Sequence, residues 1–226
     1  GAAKAMYVPA GAARLNHVAC CGHPACRPAA PDGSDAPCTW SPETLPHALM
    51  YCPAVRPAVA WLADLWVRID GGSPPPLHPS VWLQGSAEMW RPQRPSHGDL
   101  WHTLRVSLLA AAWRLRTRRA ATGEAFGPAQ VVDNCVADIR RLVLADWQVV
   151  CGPCTDMAGT HSSWFPGRAP ALDRAQFEAR WCAGGVIAHV RQGTGGGRDA
   201  LEFRLEAASG SVLAGGGAGS GGGGGG

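Results

Sequence analysis

The sequence predicts a mainly helical protein with a cysteine-rich knuckle at the N-terminus, three or four helices and a small C-terminal β-hairpin. Three observations carry this expectation. Apolar residues recur every three or four positions in three long stretches, two short alternating segments stand near the end, and 30 Gly and 19 Pro interrupt the 226 residues. Apolar residues at 46% are ordinary for a globular chain, so islands of helix in much irregular loop are expected.

The first helix is read from Pro53 to Ile69, where Val55, Val59, Leu62, Trp66 and Ile69 fall along one face and Asp64 and Arg68 fall off it. Pro57 inside that stretch removes a backbone donor, so the regular helix is expected to begin there, with Pro57 in its first turn. Gly71-Gly-Ser-Pro-Pro-Pro76 breaks the chain. A Trp- and Pro-rich connector or packed loop follows through Trp82, Trp90, Arg91 and Arg94.

A second helix is expected from an Asp99 cap to about Arg119, with Trp101, Leu104, Leu108, Ala112 and Leu115 at helical spacing and Gly123 as the stop. The third runs from Pro128 to Val150, with Val132, Cys135, Ile139, Leu142 and Val143 inward and Asp138, Arg140 and Arg141 outward. Asp173 to Trp181 reads as a shorter helix. Val186, Ala188 and Val190, then Leu201, Phe203 and Leu205, alternate as two strands joined across Gly193 to Gly197. Ten of the last twelve residues are Gly, which offers no apolar surface to offset the entropy lost on ordering, so a disordered tail is expected. The implied units are 15–70 (knuckle and first helix), 71–98 (Pro/Trp-rich linker), 99–206 (helices and hairpin) and 207–226 (tail).

Composition bounds the function less tightly. The formal charge is +3, and Lys4 is the only Lys among the 20 basic residues; Arg suits bidentate phosphate contacts, although base composition of the genome explains the bias as well. Nine cysteines is an odd count, five lie between Cys20 and Cys52, and the N-terminus lacks a signal-peptide core, which argues against a secreted disulfide scaffold. The best apolar run, Val106 to Trp113, is bracketed by Arg105 and Arg114 and is far short of the ~20 residues a membrane span needs. A soluble intracellular protein, in nucleus or cytoplasm, is therefore expected. A start at Gly1 instead of Met suggests a piece of a longer chain.

The richest chemistry lies in Cys38-Thr-Trp-Ser-Pro-Glu43-Thr44-Leu-Pro-His47-Ala-Leu-Met-Tyr-Cys52-Pro53, which gathers three soft ligands around a short apolar turn. Thiolates and imidazole are the ligands of zinc, and a structural site takes four. Cys20, Cys21 and Cys26 compete for the remaining place. In an α-helix five residues carry the chain well past a full turn, so His47-x4-Cys52 is not expected to share one α-helical face; Cys52 should sit where a short helix ends and the next begins. There the positive end of the following helix would favour its thiolate. Leu45, Leu49 and Met50 are the expected core beneath.

These residues resemble the zinc-binding domain found C-terminal to the polymerase in non-LTR retrotransposon reverse transcriptases. That family's order is a Cys pair, an acidic-Thr step, His-x4-Cys-Pro and a Trp-bearing helix. Cys38, Glu43-Thr44, His47, Cys52-Pro53 and Trp61 or Trp66 stand in that order, and Leu104 to Arg119 with Trp113-Arg114-Leu115-Arg116 is similar to the helix that follows the knuckle. The resemblance covers about half the chain. It implies a zinc knuckle, a nucleic-acid partner (RNA or DNA) and no catalytic role for this region. The family's first Cys should stand just before Cys38, where Asp35 occurs instead, so Cys26 is the nearest substitute; Cys21-x4-Cys26 is an alternative pair that would leave Cys38 spare. The competing expectation is a set of buried cysteines without metal.

Arg114, Arg116, Arg118 and Arg119, with Arg105 nearby, crowd the second helix and are the candidate phosphate-tracking surface. A solvated helix end that complements the dipole explains them equally well. Trp40, Trp82 and Trp90 could stack on bases, but packing is the better expectation. Cys151-Gly-Pro-Cys154 reproduces a redox motif in the wrong context, since a helical period precedes it where a strand should. A second zinc site from Cys151, Cys154, His161 and Cys182 lacks two-plus-two spacing. Neither the polymerase carboxylate pair, a Walker loop, a Gly-x-Ser-x-Gly elbow nor a His-Glu-x-x-His helix occurs, so this chain alone is not expected to be an enzyme.

Overall fold

The computed structural model describes Cys26 and residues 44–151, 172–193 and 199–206. Its architecture is mainly helical with a two-stranded antiparallel hairpin near the C-terminus. A π-helical turn, His47–Tyr51, leads into α1 (Arg56–Asp70); α2 (Pro79–Trp82) is a single turn, and α3 (Gly98–Thr122), α4 (Pro128–Cys151) and α5 (Arg174–Trp181) follow. Strands β1 (Ala188–Arg191) and β2 (Ala200–Phe203) pair with Ala188 opposite Phe203 and Arg191 opposite Ala200. The Gly-rich tail and most of the hairpin connection lie outside the described residues. Among those described, no helix is long and apolar enough to cross a membrane.

The core forms where α3 packs on α4 and both meet α1. All five expected inward residues of α1 are buried, Pro57 occupies its first turn, and Gly71 closes it with φ 76°, a conformation that a Cβ disfavours. α3 buries Trp101, Leu104, Leu108, Ala112 and Leu115 and ends at Gly123, with φ 77°. Asp99 is in its first turn and does not cap it; His97 is the N-cap residue, so the acid acts on the helix dipole. In α4, Val132, Cys135, Ile139 and Val143 are buried, whereas Leu142, expected inward, is exposed: both members of the adjacent pairs Val131/Val132 and Cys135/Val136 are buried nearer its start, and the buried face narrows to Val143 alone further along. α5 opens with a capping box: Asp173 accepts from the Gln176 amide at 2.8 Å and Gln176 returns a bond from the Asp173 amide at 3.0 Å.

The Pro/Trp-rich stretch after α1 is a packed loop. Trp101 is the hub of an indole cluster, with ring centroids 5.2 Å from Trp66, 5.2 Å from Trp82 and 5.1 Å from Trp90, all edge-on. Beneath it, the buried carboxylate of Asp70 accepts the backbone N–H of Gln93 at 2.6 Å, that of Arg94 at 3.3 Å and the Nδ1–H of buried His97 at 2.9 Å. The end of α1 is thereby fastened to the segment that launches α3. Packing is thus the role of Trp82, which is fully buried, and Trp90 is half-buried on the same cluster.

Candidate metal centre

Cys26, His47 and Cys52 bring one ligand atom each to a common point, all within 4.8 Å of one another. The Cys26 sulfur stands 3.4 Å from His47 Nε2 and 3.4 Å from the Cys52 sulfur. The two sulfurs are too far apart for a disulfide, whose bond is about 2.05 Å. Both cysteines are buried, and His47 is half-buried with its ring toward them. Three soft ligands converging at the edge of a core can hold a metal ion.

The π turn is what makes this possible. The Cys52 N–H donates to the His47 carbonyl at 2.7 Å, closing a five-residue loop where an α-helix would close four. That wider turn ties the Cys52 backbone directly back to His47. Cys52 itself is the C-cap, with ψ 129° outside helical conformation, so the two ligands do not share a helical face, as the spacing leads one to expect; the π closure is what brings them together. Cys52 does stand at the junction: its carbonyl accepts the N–H groups of Val55 at 2.7 Å and Arg56 at 2.8 Å, the entry to α1. At the other end Thr44 fixes the turn, its Oγ1 accepting the His47 N–H at 3.2 Å and its carbonyl the Ala48 N–H at 2.8 Å. Beneath the ligands lie Ala48, Leu49 and Met50, whereas Leu45 is 46% exposed. Leu45 precedes the π turn and so points away from the face that Leu49 and Met50 bury. Cys38 and Cys21, the expected partners of this set, lie outside the described residues, as do Cys20 and Trp40.

The arginines do not form one surface. Arg105 and Arg116 are buried, at 4% and 7% exposure. They fall in register with Leu108 and Ala112, one stripe of α3 that faces the interior, and so cannot track a phosphate backbone as expected. Arg114 is exposed and paired with Asp138, which also pairs with Arg141. Arg118 meets Glu124 at 3.0 Å, and Arg119 is half-buried. Cys151 is the last residue of α4 and so stands at a helix C-terminus; Cys154 and His161 lie outside the described residues. The Cys182 thiol is pushed above its ordinary range by burial and then by Glu178.

Sequence reasoning missed the Asp70–His97 pair and the interior position of Arg105. The helical register of Arg105 with Leu108 and Ala112 was the available signal; for Asp70, whose partners lie more than twenty residues away, none was. Neither a family model, a curated protein nor a solved structure matches this chain.

Proposed function

We propose that this chain is a non-catalytic zinc-binding, nucleic-acid-binding region of the kind that lies C-terminal to the polymerase in non-LTR retrotransposon reverse transcriptases. The observation that carries the reading is the convergence of Cys26, His47 and Cys52. Around a tetrahedral zinc with sulfur at about 2.3 Å and nitrogen at about 2.05 Å, neighbouring ligands stand about 3.7 Å apart for two sulfurs and about 3.5 Å for sulfur and nitrogen. The observed separations, both 3.4 Å, differ by a few tenths of an ångström. Cys38 would complete the set, with Cys21 the alternative. Zinc there would hold the N-terminal segment onto the π turn and the start of α1.

Nucleic-acid contact rests on Arg114, Arg118 and Arg119 along α3 and on the net charge of +3. Exposed ion pairs contribute about 0–1 kcal/mol, so a phosphate can compete for Arg114 and Arg118. A second reading, a protein-interaction scaffold with no nucleic-acid role, is favoured by the same pairs and by the burial of Arg105 and Arg116. Metal analysis of the refolded chain tests the first half. About one equivalent of zinc is expected, lost in His47→Ala and Cys52→Ser; substoichiometric metal indifferent to both variants would defeat it. RNA binding that weakens steeply with salt and falls when Arg114, Arg118 and Arg119 are replaced together supports the second half. Zinc without any RNA or DNA affinity at low salt leaves the scaffold.

A further inference from the structure

Among the described residues, Arg105 is a buried cation without a counter-ion. A guanidinium has five N–H donors and no acceptor. One bond goes to the Trp82 carbonyl, another from Nη2 to His102 Nδ1 at 3.2 Å, and Nε has no acceptor at all. No described carboxylate pairs with it, and burial alone draws its pKa below the ordinary value. A charge removed from water in this way is normally matched by an anion.

The same side chain lines a cleft of about 240 Å³ between the connector after α2 and the first two turns of α3. Half-buried Trp90 and the small exposed part of Trp101 are its aromatic lining, Ser86, Arg91 and His102 supply polar groups, and Asp99 is its acid. Arg91 is exposed and anchored through Nε to the Ala87 carbonyl at 2.7 Å, which leaves its terminal nitrogens for other partners. A cleft of this size suits a small ligand and not a drug-sized one.

We infer that this cleft binds a small organic oxyanion, its phosphate or carboxylate group balancing Arg105 and its ring lying against Trp90 and Trp101. Arg105 supplies the charge from below and Arg91 from the rim. Asp99 opposes the anion and limits affinity. The inference stands apart from the zinc and nucleic-acid reading, since the cleft lining includes none of Cys26, His47 and Cys52.

The test is a titration of the full chain with inorganic phosphate, phenyl phosphate and benzoate, with neutral benzamide as control, followed by tryptophan emission and by melting temperature. Saturation by phenyl phosphate or benzoate near or below about 1 mM is expected, at least about tenfold weaker in Arg105→Gln and tighter in Asp99→Asn. The ligand that saturates first tells a phosphoryl from a carboxylate source. Failure of both aromatic anions to saturate, an equal response to benzamide, or undiminished binding by Arg105→Gln overturns the inference. If Arg105→Gln does not fold, Ser86→Glu places a carboxylate in the cleft wall instead; it is expected to abolish binding, and unchanged binding in that variant overturns the proposal equally.

Discussion

Replacing Asp70 tests whether the loop between α1 and α3 belongs to the core. Its carboxylate is 1% exposed and accepts from the Gln93 amide at 2.6 Å and His97 Nδ1 at 2.9 Å, with the Arg94 amide a weak third at 3.3 Å. Hydrogen bonds to a charged acceptor contribute about 1.5–3 kcal/mol each, so two full bonds and a fraction of a third place the gross loss in Asp70→Ala at roughly 3.5–7 kcal/mol. Water reaching the orphaned donors recovers part of this, and a net loss of about 3–4 kcal/mol is expected, within the range for breaking a buried pair. Asp70→Asn keeps the shape and one good acceptor and should lose about half as much. Urea unfolding followed by tryptophan emission and far-UV circular dichroism measures both. The native emission of Asp70→Ala should also shift red, because Trp90 and Trp101 sit on the segment that Asp70 fastens. If both variants lose less than about 0.5 kcal/mol, the segment is held by other contacts and the reasoning fails.

Further outcomes concern thiols and the hairpin. Burial, then the charge of Asp138, pushes the Cys135 thiol far above its ordinary range, while Cys151 is exposed, so alkylation at about pH 8 should mark Cys151 first, Cys182 next and Cys135 only on unfolding. Peptide mass spectrometry reads the order, and early labelling of Cys135 would contradict its enclosure. Asp199 is held below the usual carboxylate range by the Gly193 N–H at 3.0 Å and by the Arg174 pair. A depressed carboxylate stabilises the fold above its unfolded value near ~3.9 and loses that contribution as pH falls through the folded value. Amide shifts of β1 and β2 should therefore move in acid below about pH 4, and Asp199→Asn should abolish that movement.

How much of this was legible follows from the physics of each part. Helices α1, α3 and α4 announced themselves because one face of each meets the core, and a 3.6-residue period records that in the order of Val59, Leu62 and Trp66 or of Leu104 and Leu108. The hairpin stands where the sequence placed it, but its strands, Ala188–Arg191 and Ala200–Phe203, leave out Val186 and Leu205 and do not alternate buried with exposed, so period two recorded its place and not its two faces. The loop of residues 71–98 carries no period, since its order comes from Trp66, Trp101 and Asp70, which are distant in sequence. Arg105 and Arg116 misled because residue type suggested solvent while register with Leu108 pointed inward. α3 buries an arc so wide that even charged positions fall inside it. In the metal cluster, ligand types singled out His47, Cys52 and Cys26 correctly, but their convergence depends on a π turn that no spacing rule for α-helices contains.

That junction has a mechanical meaning. The two peptide groups flanking the Cys52 α-carbon serve opposite masters: the amide on one side latches the turn that carries His47, and the carbonyl on the other receives the leading amides of α1. The thiol therefore projects from the one residue where both structures hinge, and a pull on its sulfur is delivered to the opening of α1, a helix that packs against both α3 and α4, without a flexible spacer to absorb it. Gain or loss of whatever the sulfur grips should accordingly register in the backbone resonances of Val55 and Arg56 before it reaches any other part of the fold.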